Sequence, residues 1–164
     1  MGLTPRKCEN HMKAPNRIYY AIGIIVGFWM PWVSAKVFGF SLSKANGFGL
    51  AGGMPFSILG SEEEMLFDAQ QLLLVVPVAA ALFIVTSFFP KSPTRNKIQI
   101  IAVLSIVIGF GISVINIYNQ WEGKYKGGLG GWSVDIGFWL TLFSIILLSV
   151  ESINAFVSSA RGDF

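Results

Sequence analysis

The sequence predicts an all-α membrane protein, a bundle of four transmembrane helices with a small extracellular loop region, on three observations. Hydrophobic residues make up 53% of the 164 residues and charged residues only 13%, whereas a soluble domain usually carries about 25% charged residues. Four apolar runs are separated by polar segments, and at about 1.5 Å per helical residue each approaches the roughly 30 Å of a hydrocarbon core. The cations are also distributed unevenly between the polar segments, as membrane orientation requires.

The ends of the apolar runs set the predicted boundaries. The spans are residues 18–35, 69–89, 98–118 and 136–158, and together they form one transmembrane domain over residues 18–158. A basic tail precedes this domain at residues 1–17, and a short tail follows it at residues 159–164. The outer loops are residues 36–68 and 119–135, and the inner turn is residues 90–97.

The inner turn sets the orientation. It contains Lys91, Arg95 and Lys97 and no acidic residue, so the positive-inside bias places it on the cytoplasmic side. With both termini cytoplasmic, the inner segments hold eight cations, namely Arg6, Lys7, Lys13, Arg17, Lys91, Arg95, Lys97 and Arg161. The outer segments hold four, namely Lys36, Lys44, Lys124 and Lys126. This excess favours four spans with both tails in the cytoplasm.

The first span carries aromatic residues near both ends, as segments that cross membrane interfaces do, and Pro31 near its outer end. Gly23 and Gly27 form a small-xxx-small pair, which lets another helix approach closely. The pair is compatible with a specific dimer, but packing within the chain's own bundle is the favoured interpretation.

The second and third spans form a hairpin around the inner turn. Pro77 predicts a bend near residues 73–77, because a proline inside a helix frees a backbone carbonyl. In the third span, Ser105, Gly109 and Ser113 recur at four-residue spacing, so three small residues on one stripe permit close helix contact. We expect this stripe at the centre of the bundle.

The first outer loop contains a strand pattern. Phe38, Phe40 and Leu42 alternate with small residues, and Asn46-Gly47 is a favoured tight-turn pair. A short β-hairpin is therefore expected. Further along, residues 61–64 place a serine before three glutamates, which indicates the start of a helix leading into the second span.

The apolar side chains of this loop need cover, which either a partner protein or the bundle itself can provide. The candidate partner-contact residues are Phe38, Phe40, Leu42, Phe48 and Phe56. Packing on the chain's own bundle is the favoured alternative.

Glu151 lies in the inner half of the last span and is the ionisable residue that the predicted topology places inside the membrane. Such residues are functional candidates by default, and Asn154 adds a second polar group at the same end. The favoured alternative is that Glu151 reaches headgroup water, Arg17 or the basic turn.

No catalytic, cofactor-binding or metal-binding set can be assembled from the sequence, so no enzymatic activity is expected. His11 is the single histidine and Cys8 the single cysteine, and both lie in the amino-terminal tail. This excludes a Ser-His-Asp arrangement held by the bundle and a two-histidine metal site. The glycine-rich residues 127–131 lack the order of a phosphate loop. The cations flank apolar runs, so nucleic acid is not an expected partner.

Two short segments carry a family resemblance. Phe28-Trp29-Met30-Pro31-Trp32-Val33-Ser34, a glycine-rich outer loop and Gly137-Phe138-Trp139-Leu140 at the start of the last helix resemble uncharacterised bacterial four-helix membrane proteins. The resemblance implies a bacterial inner membrane and no activity. The loop layout is also similar to that of claudin-like proteins, but the first outer loop has neither the claudin cysteine pair nor its Trp-Gly-Leu-Trp motif.

These observations predict a non-catalytic integral membrane protein whose partners are the lipid bilayer and other membrane protein subunits. The leading hypothesis is a small subunit or an assembly or stabilising factor of a larger membrane complex. A small transporter or channel that uses Glu151, and an immunity-type membrane protein, are the alternatives.

Overall fold

The structure is a computed structural model that describes residues 14–37, 40–51, 56–58, 61–63, 70–90, 92–124 and 130–160. The described helices are α1 (Ala14–Trp29), α2 (Gly47–Ala51), α3 (Gln70–Leu73), α4 (Val75–Ser87), α5 (Pro93–Lys124) and α6 (Ile136–Ala160). The described strands are β1 (Pro31–Val37), β2 (Phe40–Asn46), β3 (Phe56–Ile58), β4 (Ser61–Glu63) and β5 (Gly130–Val134). The chain is thus mostly helical, with a small three-stranded sheet.

Two helical segments are long and apolar enough to cross a membrane by length and composition. They are Pro93–Asn119, with 27 residues, and Ile136–Ser158, with 23 residues. Large hydrophobic side chains are exposed along both, for example Ile101 and Ile108 on α5 and Phe143 and Ile153 on α6. These features support insertion into a membrane, while α1 and the apolar segment Gln71–Ser87 are shorter. Four complete spans therefore remain a prediction.

The first helix ends earlier than predicted. The predicted span reached residue 35, but α1 ends at Trp29 and β1 begins at Pro31. Proline has no backbone N–H, and its ring disfavours the helical conformation in the residue before it. Met30 still donates a hydrogen bond to the Val26 carbonyl at 3.3 Å, so the chain leaves the helix directly at the proline.

The structure contains a β-hairpin in this region, but not the predicted one: its turn is not at Asn46-Gly47, and its first strand begins within the predicted first span. The hairpin consists of β1 and β2, which pair antiparallel from Pro31 opposite Asn46 to Val37 opposite Phe40. The Asn46 side chain instead accepts a hydrogen bond of 2.7 Å from the Gly49 N–H, at the start of α2. A capping interaction thus replaces the predicted tight turn, because asparagine serves both roles equally well.

The sheet has the strand order β2-β1-β5, and the sequence did not indicate its third strand. β5 pairs antiparallel with β1, from Val33 opposite Val134 to Val37 opposite Gly130. The segment after α1 and the segment before α6 therefore lie side by side at one end of the molecule, which we call the outer end.

The helix start predicted at residues 61–64 is wrong for its described part. Residues Ser61–Glu63 form β4, which pairs antiparallel with β3, placing Phe56 opposite Glu63. A serine followed by acids favours a helix only through local capping and dipole terms. Here backbone pairing with a neighbouring segment satisfies the same N–H groups.

The second predicted span is interrupted at Leu74, between α3 and α4. Leu74 keeps helical φ and ψ angles of −66° and −21°, and its N–H bonds the Gln71 carbonyl, three residues back, at 3.1 Å. Pro77 lies three residues further on and donates no hydrogen bond to the carbonyl of Leu73. The interruption falls within the region where a bend was predicted.

The helices form a bundle in which α1 packs against both α4 and α6. α5 packs mainly on α4 and only weakly on α6. α1 thus has the most extensive contacts of the described helices, and the stripe of small residues lies on a helix that packs mainly on α4. The fully buried core includes Ile24, Phe28, Val76, Phe83, Ile106 and Leu148.

Candidate functional site

The end of the bundle opposite the sheet, which we call the inner end, brings Arg17 and Glu151 together. Arg17 lies near the start of α1 and Glu151 in the last third of α6, and the two helices run antiparallel. The Nε atom of Arg17 is 3.9 Å from Oε2 of Glu151, which is an ion-pair distance but too long for a hydrogen bond. Both side chains are partly exposed, at 25% and 29%. The alternative that Glu151 reaches Arg17 therefore describes its position in the structure.

Arg17 lies at the amino-terminal edge of the predicted first span, where burial lowers the pKa of its guanidinium. The carboxylate of Glu151 raises this pKa, and the positive charge of Arg95 lowers it further. An arginine nevertheless stays charged at neutral pH. The inner end therefore holds a positive charge on Arg17 that pairs with Glu151 without a hydrogen bond.

A cavity of about 250 Å³ lies beside this pair. It lies between α1, α4, α5 and α6 and is open on one side, and its lining includes Arg17, Phe83, Asn96, Lys97, Ser152 and Phe156. Since a water molecule occupies about 30 Å³ in the liquid, the cavity can hold several waters or a small polar group. Its lining contains two cations and no acidic residue.

Two buried polar atoms at this cavity have unused hydrogen-bonding capacity. Nε of Arg17 and Oγ of Ser152 are both shielded from solvent and have no hydrogen-bond partner among the described residues. Buried polar groups are normally hydrogen-bonded, since leaving one unpaired costs about 1–3 kcal/mol. The arrangement is chemically suited to hold an anion or another strong acceptor.

The start of α5 forms one wall of this cavity, and side-chain hydrogen bonds hold it in place. Ser92 Oγ accepts a hydrogen bond of 3.1 Å from the Arg95 N–H, which is a normal amino-terminal cap. Arg95 in turn donates to the Phe89 carbonyl at 2.8 Å. Gln99, which is buried, donates to Ser87 Oγ at 3.1 Å. The inner turn is therefore tied to α4 and α5.

Asn154 is not part of this arrangement. Its side chain is exposed, and its backbone carbonyl accepts a hydrogen bond of 2.9 Å from Ser158 Oγ. Of the two predicted intramembrane polar residues, the structure brings only Glu151 to the cavity region.

The predicted helix-packing glycines of α1 face α6. A Cβ atom at Gly23 would lie 3.4 Å from Cβ of Ser144, and one at Gly27 would lie 3.0 Å from the Thr141 backbone nitrogen. On α5, Gly109 lies against the Leu72 carbonyl of α3. The two α1 glycines are therefore used within the chain, as the favoured interpretation expected.

The flanking serines of the α5 stripe differ from each other. Ser113 is buried, and its hydroxyl has no hydrogen-bond partner within the described part of the chain, whereas Ser105 is half-buried.

Sequence analysis missed Gly137, at the start of α6, whose Cβ position lies 2.7–2.8 Å from three backbone carbonyl oxygens. Its signal was only a glycine next to a predicted span end.

At the outer end, Trp32 joins the sheet to the helices. The indole Nε1 donates a hydrogen bond of 2.9 Å to the Gly27 carbonyl. Its ring packs edge-on against Phe28, Phe110 and Phe138, with ring centroids 4.7–5.8 Å apart. The sheet is thereby attached to three helices through one buried side chain.

The candidate partner-contact residues have different outcomes. Phe48 packs on the chain's own bundle, 5.4 Å from Phe28 and 5.0 Å from Trp29 between ring centroids. Phe38 lies outside the described residues. For Phe40, Leu42 and Phe56 the structure describes the backbone, in β2 and β3.

A polar cluster that sequence analysis missed links β1, β5 and α6. Ser34 is buried, donates its hydroxyl hydrogen to Asp135 Oδ2, and lies 3.3 Å from Ser133 Oγ. The Asp135 N–H donates to the Trp32 carbonyl at 2.8 Å. These residues are about a hundred positions apart in sequence, so only the folded chain reveals the cluster. It orients the sheet relative to the start of α6.

Within the described part of the chain, no group of three or more histidine, cysteine, aspartate or glutamate residues is placed to hold a metal ion. No protein family matches this chain, and no similar curated protein or solved structure was found.

Proposed function

We propose that this chain is a non-catalytic integral membrane protein that acts through contacts, as a small subunit or an assembly or stabilising factor of a larger membrane protein complex. The proposed location is a bacterial inner membrane, with four spans and both termini in the cytoplasm.

The observation that carries the proposal is the sheet fixed at the outer end of the bundle. Trp32 and the pair formed by Ser34 and Asp135 attach it to α1 and to the residue that precedes α6. β5 is an edge strand of this sheet as described, since it pairs with β1 on one side only. An edge strand offers backbone donors and acceptors to a partner chain, and proteins usually cover such edges.

The arrangement of the helix ends supports the proposed topology. Pairing of β1 with β5 places the end of α1 and the start of α6 on one side, and the ion pair places their other ends together. The inner cavity brings the start of α5 to that second side. Four crossings with both tails on one side are consistent with this antiparallel order.

Purification in mild detergent followed by mass measurement tests the proposal. We expect the wild-type chain to retain another membrane protein, and Val134→Lys to reduce that retention because it adds a charge to β5. Val157→Lys is the matched control, since it adds the same charge to the inner end of α6, and both valines are exposed. A strictly monomeric wild-type particle without a co-purifying protein contradicts the proposal.

A small transporter or channel is the second candidate. The observation that favours it is the position of Glu151 beside Arg17, a residue that lines the cavity in the bundle. The neighbouring Arg17 weakens it, because the carboxylate then has a structural role as a counter-ion. The test is ion flux into proteoliposomes, with Asn154→Asp as the control because Asn154 is exposed and lies outside the site. Flux that is lower in Glu151→Gln than in Asn154→Asp supports transport. Equal flux in wild type and Glu151→Gln removes this candidate.

A further inference from the structure

The cavity at the inner end has an excess of positive charge. Its lining contributes Arg17 and Lys97, and the positive charge of Arg95 lies close enough to lower the pKa of Arg17. Glu151 is the acidic group facing Arg17, at a distance of 3.9 Å. The amino-terminal end of α5 adds a partial positive charge, because the helix dipole points its positive end towards this side. A bound anion would balance this charge.

Polar residues from three helices meet at the cavity as well. Nε of Arg17 comes from α1 and Oγ of Ser152 from α6, and both are buried without a hydrogen-bond partner among the described residues. Both residues line the cavity, and so does Lys97 of α5. Three helices thus contribute polar or charged residues to the lining of one space. Phosphate oxygens accept several such hydrogen bonds at once, and arginine binds them strongly.

The remaining cavity wall is apolar. Phe83, Ile100 and Phe156 line it, and Phe156 is also exposed at the surface of α6. α5 and α6 have few contacts with each other, so the cavity lies beside a weakly packed seam between two lipid-facing helices. Such a site accommodates a ligand with an anionic group at one end and a hydrocarbon portion at the other.

The level of the cavity agrees with this chemistry. Arg17 and Lys97 each lie one residue before a predicted span, and Ser152 lies in the last turns of α6. In the proposed topology this is the cytoplasmic interface, where phospholipid phosphates lie. Basic pockets between transmembrane helices on this side are known to suit anionic head groups.

We propose that the inner cavity binds the phosphate group of an anionic phospholipid, with Arg17, Lys97 and Ser152 as donors and the acyl chains leaving along the seam between α5 and α6. The phosphate chemistry follows from the cavity alone. The choice of a lipid over free phosphate rests on the proposed membrane insertion, and the experiment therefore separates the two.

The full-length chain, purified in a neutral detergent, is titrated with phosphatidylglycerol, with phosphatidylcholine and with inorganic phosphate. Lipid retained by the protein is measured by native mass spectrometry, and thermal unfolding is measured in parallel. We expect phosphatidylglycerol to bind more tightly than phosphatidylcholine and to raise the unfolding temperature. Inorganic phosphate should have a much smaller effect, because it leaves the apolar wall uncovered.

The test variant is Lys97→Gln combined with Ser152→Ala, which removes one positive charge and one hydroxyl donor and leaves the ion pair of Arg17 and Glu151 intact. We expect it to weaken phosphatidylglycerol binding about tenfold, as for loss of a hydrogen bond to a charged group. Ala155→Phe tests the same site by filling the cavity, since Ala155 lines it. Lys44→Gln is the control, because Lys44 is an exposed cation in β2 at the outer end.

Loss of the preference for phosphatidylglycerol in both cavity variants, with Lys44→Gln unchanged, supports the site. An equal loss in Lys44→Gln overturns it, because general surface charge then explains the binding. Equal stabilisation by inorganic phosphate, with no added effect of phosphatidylglycerol, overturns the lipid assignment. An unchanged preference in both cavity variants overturns the proposal as a whole.

Discussion

Gly137 occupies the closest backbone contact between the start of α6 and the segment that joins α1 to β1. A Cβ atom at this position would lie 2.7 Å from the carbonyl oxygens of Met30 and Pro31 and 2.8 Å from that of Gly27. Because all three are backbone atoms, no side-chain rotation can relieve the overlap. A residue without a side chain therefore allows α1, β1 and α6 to meet.

Gly137→Ala should consequently destabilise the protein, by about 1–3 kcal/mol, as overpacking of a close contact does. Gly111→Ala is the matched control on α5, since nothing lies within 4 Å of its Cβ position. It should leave stability unchanged or raise it by up to about 1 kcal/mol, because alanine favours helix over glycine. Thermal unfolding in detergent compares the two variants. Equal unfolding temperatures for both would contradict the role assigned to Gly137.

Trp32 shows how one residue combines several interactions. Its indole satisfies the Gly27 carbonyl near the end of α1, and its ring contacts aromatic rings of α1, α5 and α6. The sequence suggested an interfacial tryptophan at the end of a span. The structure instead buries it, at 1% exposure, because the strand that begins at Pro31 turns the side chain into the bundle.

Among the elements, the interruption between α3 and α4 is the feature that the local sequence determines most directly. Pro77 cannot donate a hydrogen bond to the Leu73 carbonyl, and the helix is interrupted between these residues at Leu74. The interruption is mild, since Leu74 keeps helical angles and the Val78 N–H still bonds its carbonyl at 3.3 Å.

Pro77→Ala should therefore join α3 and α4 into one helix and slow hydrogen exchange over residues 73–78. The restored hydrogen bond and the loss of the ring clash should raise the free energy of unfolding by about 3 kcal/mol at most. The smaller side chain at this buried position reduces that gain. Pro93→Ala is the control. Pro93 is the first residue of α5, where an N–H has no partner within the helix. Pro93→Ala should therefore leave hydrogen exchange over residues 73–78 unchanged. Faster exchange around Leu74 in Pro77→Ala would refute this explanation.

At the scale of the whole molecule, the pairing of β1 with β5 limits how the chain can cross a membrane. Both strands must lie on the same side, and so must the end of α1 and the start of α6. The basic inner turn precedes α5 at the opposite end, beside Arg17 and the cavity. The proposed four-span topology is compatible with this arrangement and with the charge distribution.

Cysteine labelling tests this topology in a Cys8→Ser background. Lys44→Cys in β2, Val134→Cys in β5 and Ser92→Cys before α5 introduce thiols at exposed positions. In intact cells, a membrane-impermeant maleimide should label the first two and not the third. Labelling of Ser92→Cys should need permeabilised cells, since the inner turn is proposed to be cytoplasmic. Labelling of Ser92→Cys in intact cells, or opposite behaviour of the two strand positions, would exclude the proposed orientation.

Much of the helical content could be predicted because it depends on local signals. Long apolar runs with few or no charges identified the segments that became α5 and α6, and Pro31 and Pro77 lie where regular helix stops or is interrupted. For the site, contact of Glu151 with Arg17 was one of the alternatives that the sequence offered, and the structure places the two side chains 3.9 Å apart.

The remaining features depend on residues far apart in the chain. The third strand forms only because β1 supplies its partner, and Ser61–Glu63 is a strand because β3 satisfies the N–H groups that a helix start would otherwise cap. The cavity likewise requires four helices at once. The sequence by itself therefore determined the helical class, the apolar segments and the distribution of charge, since these depend on each segment's own composition. Only the tertiary structure decided the sheet, the position of Trp32 and the inner cavity, because their free energy comes from contacts between distant segments.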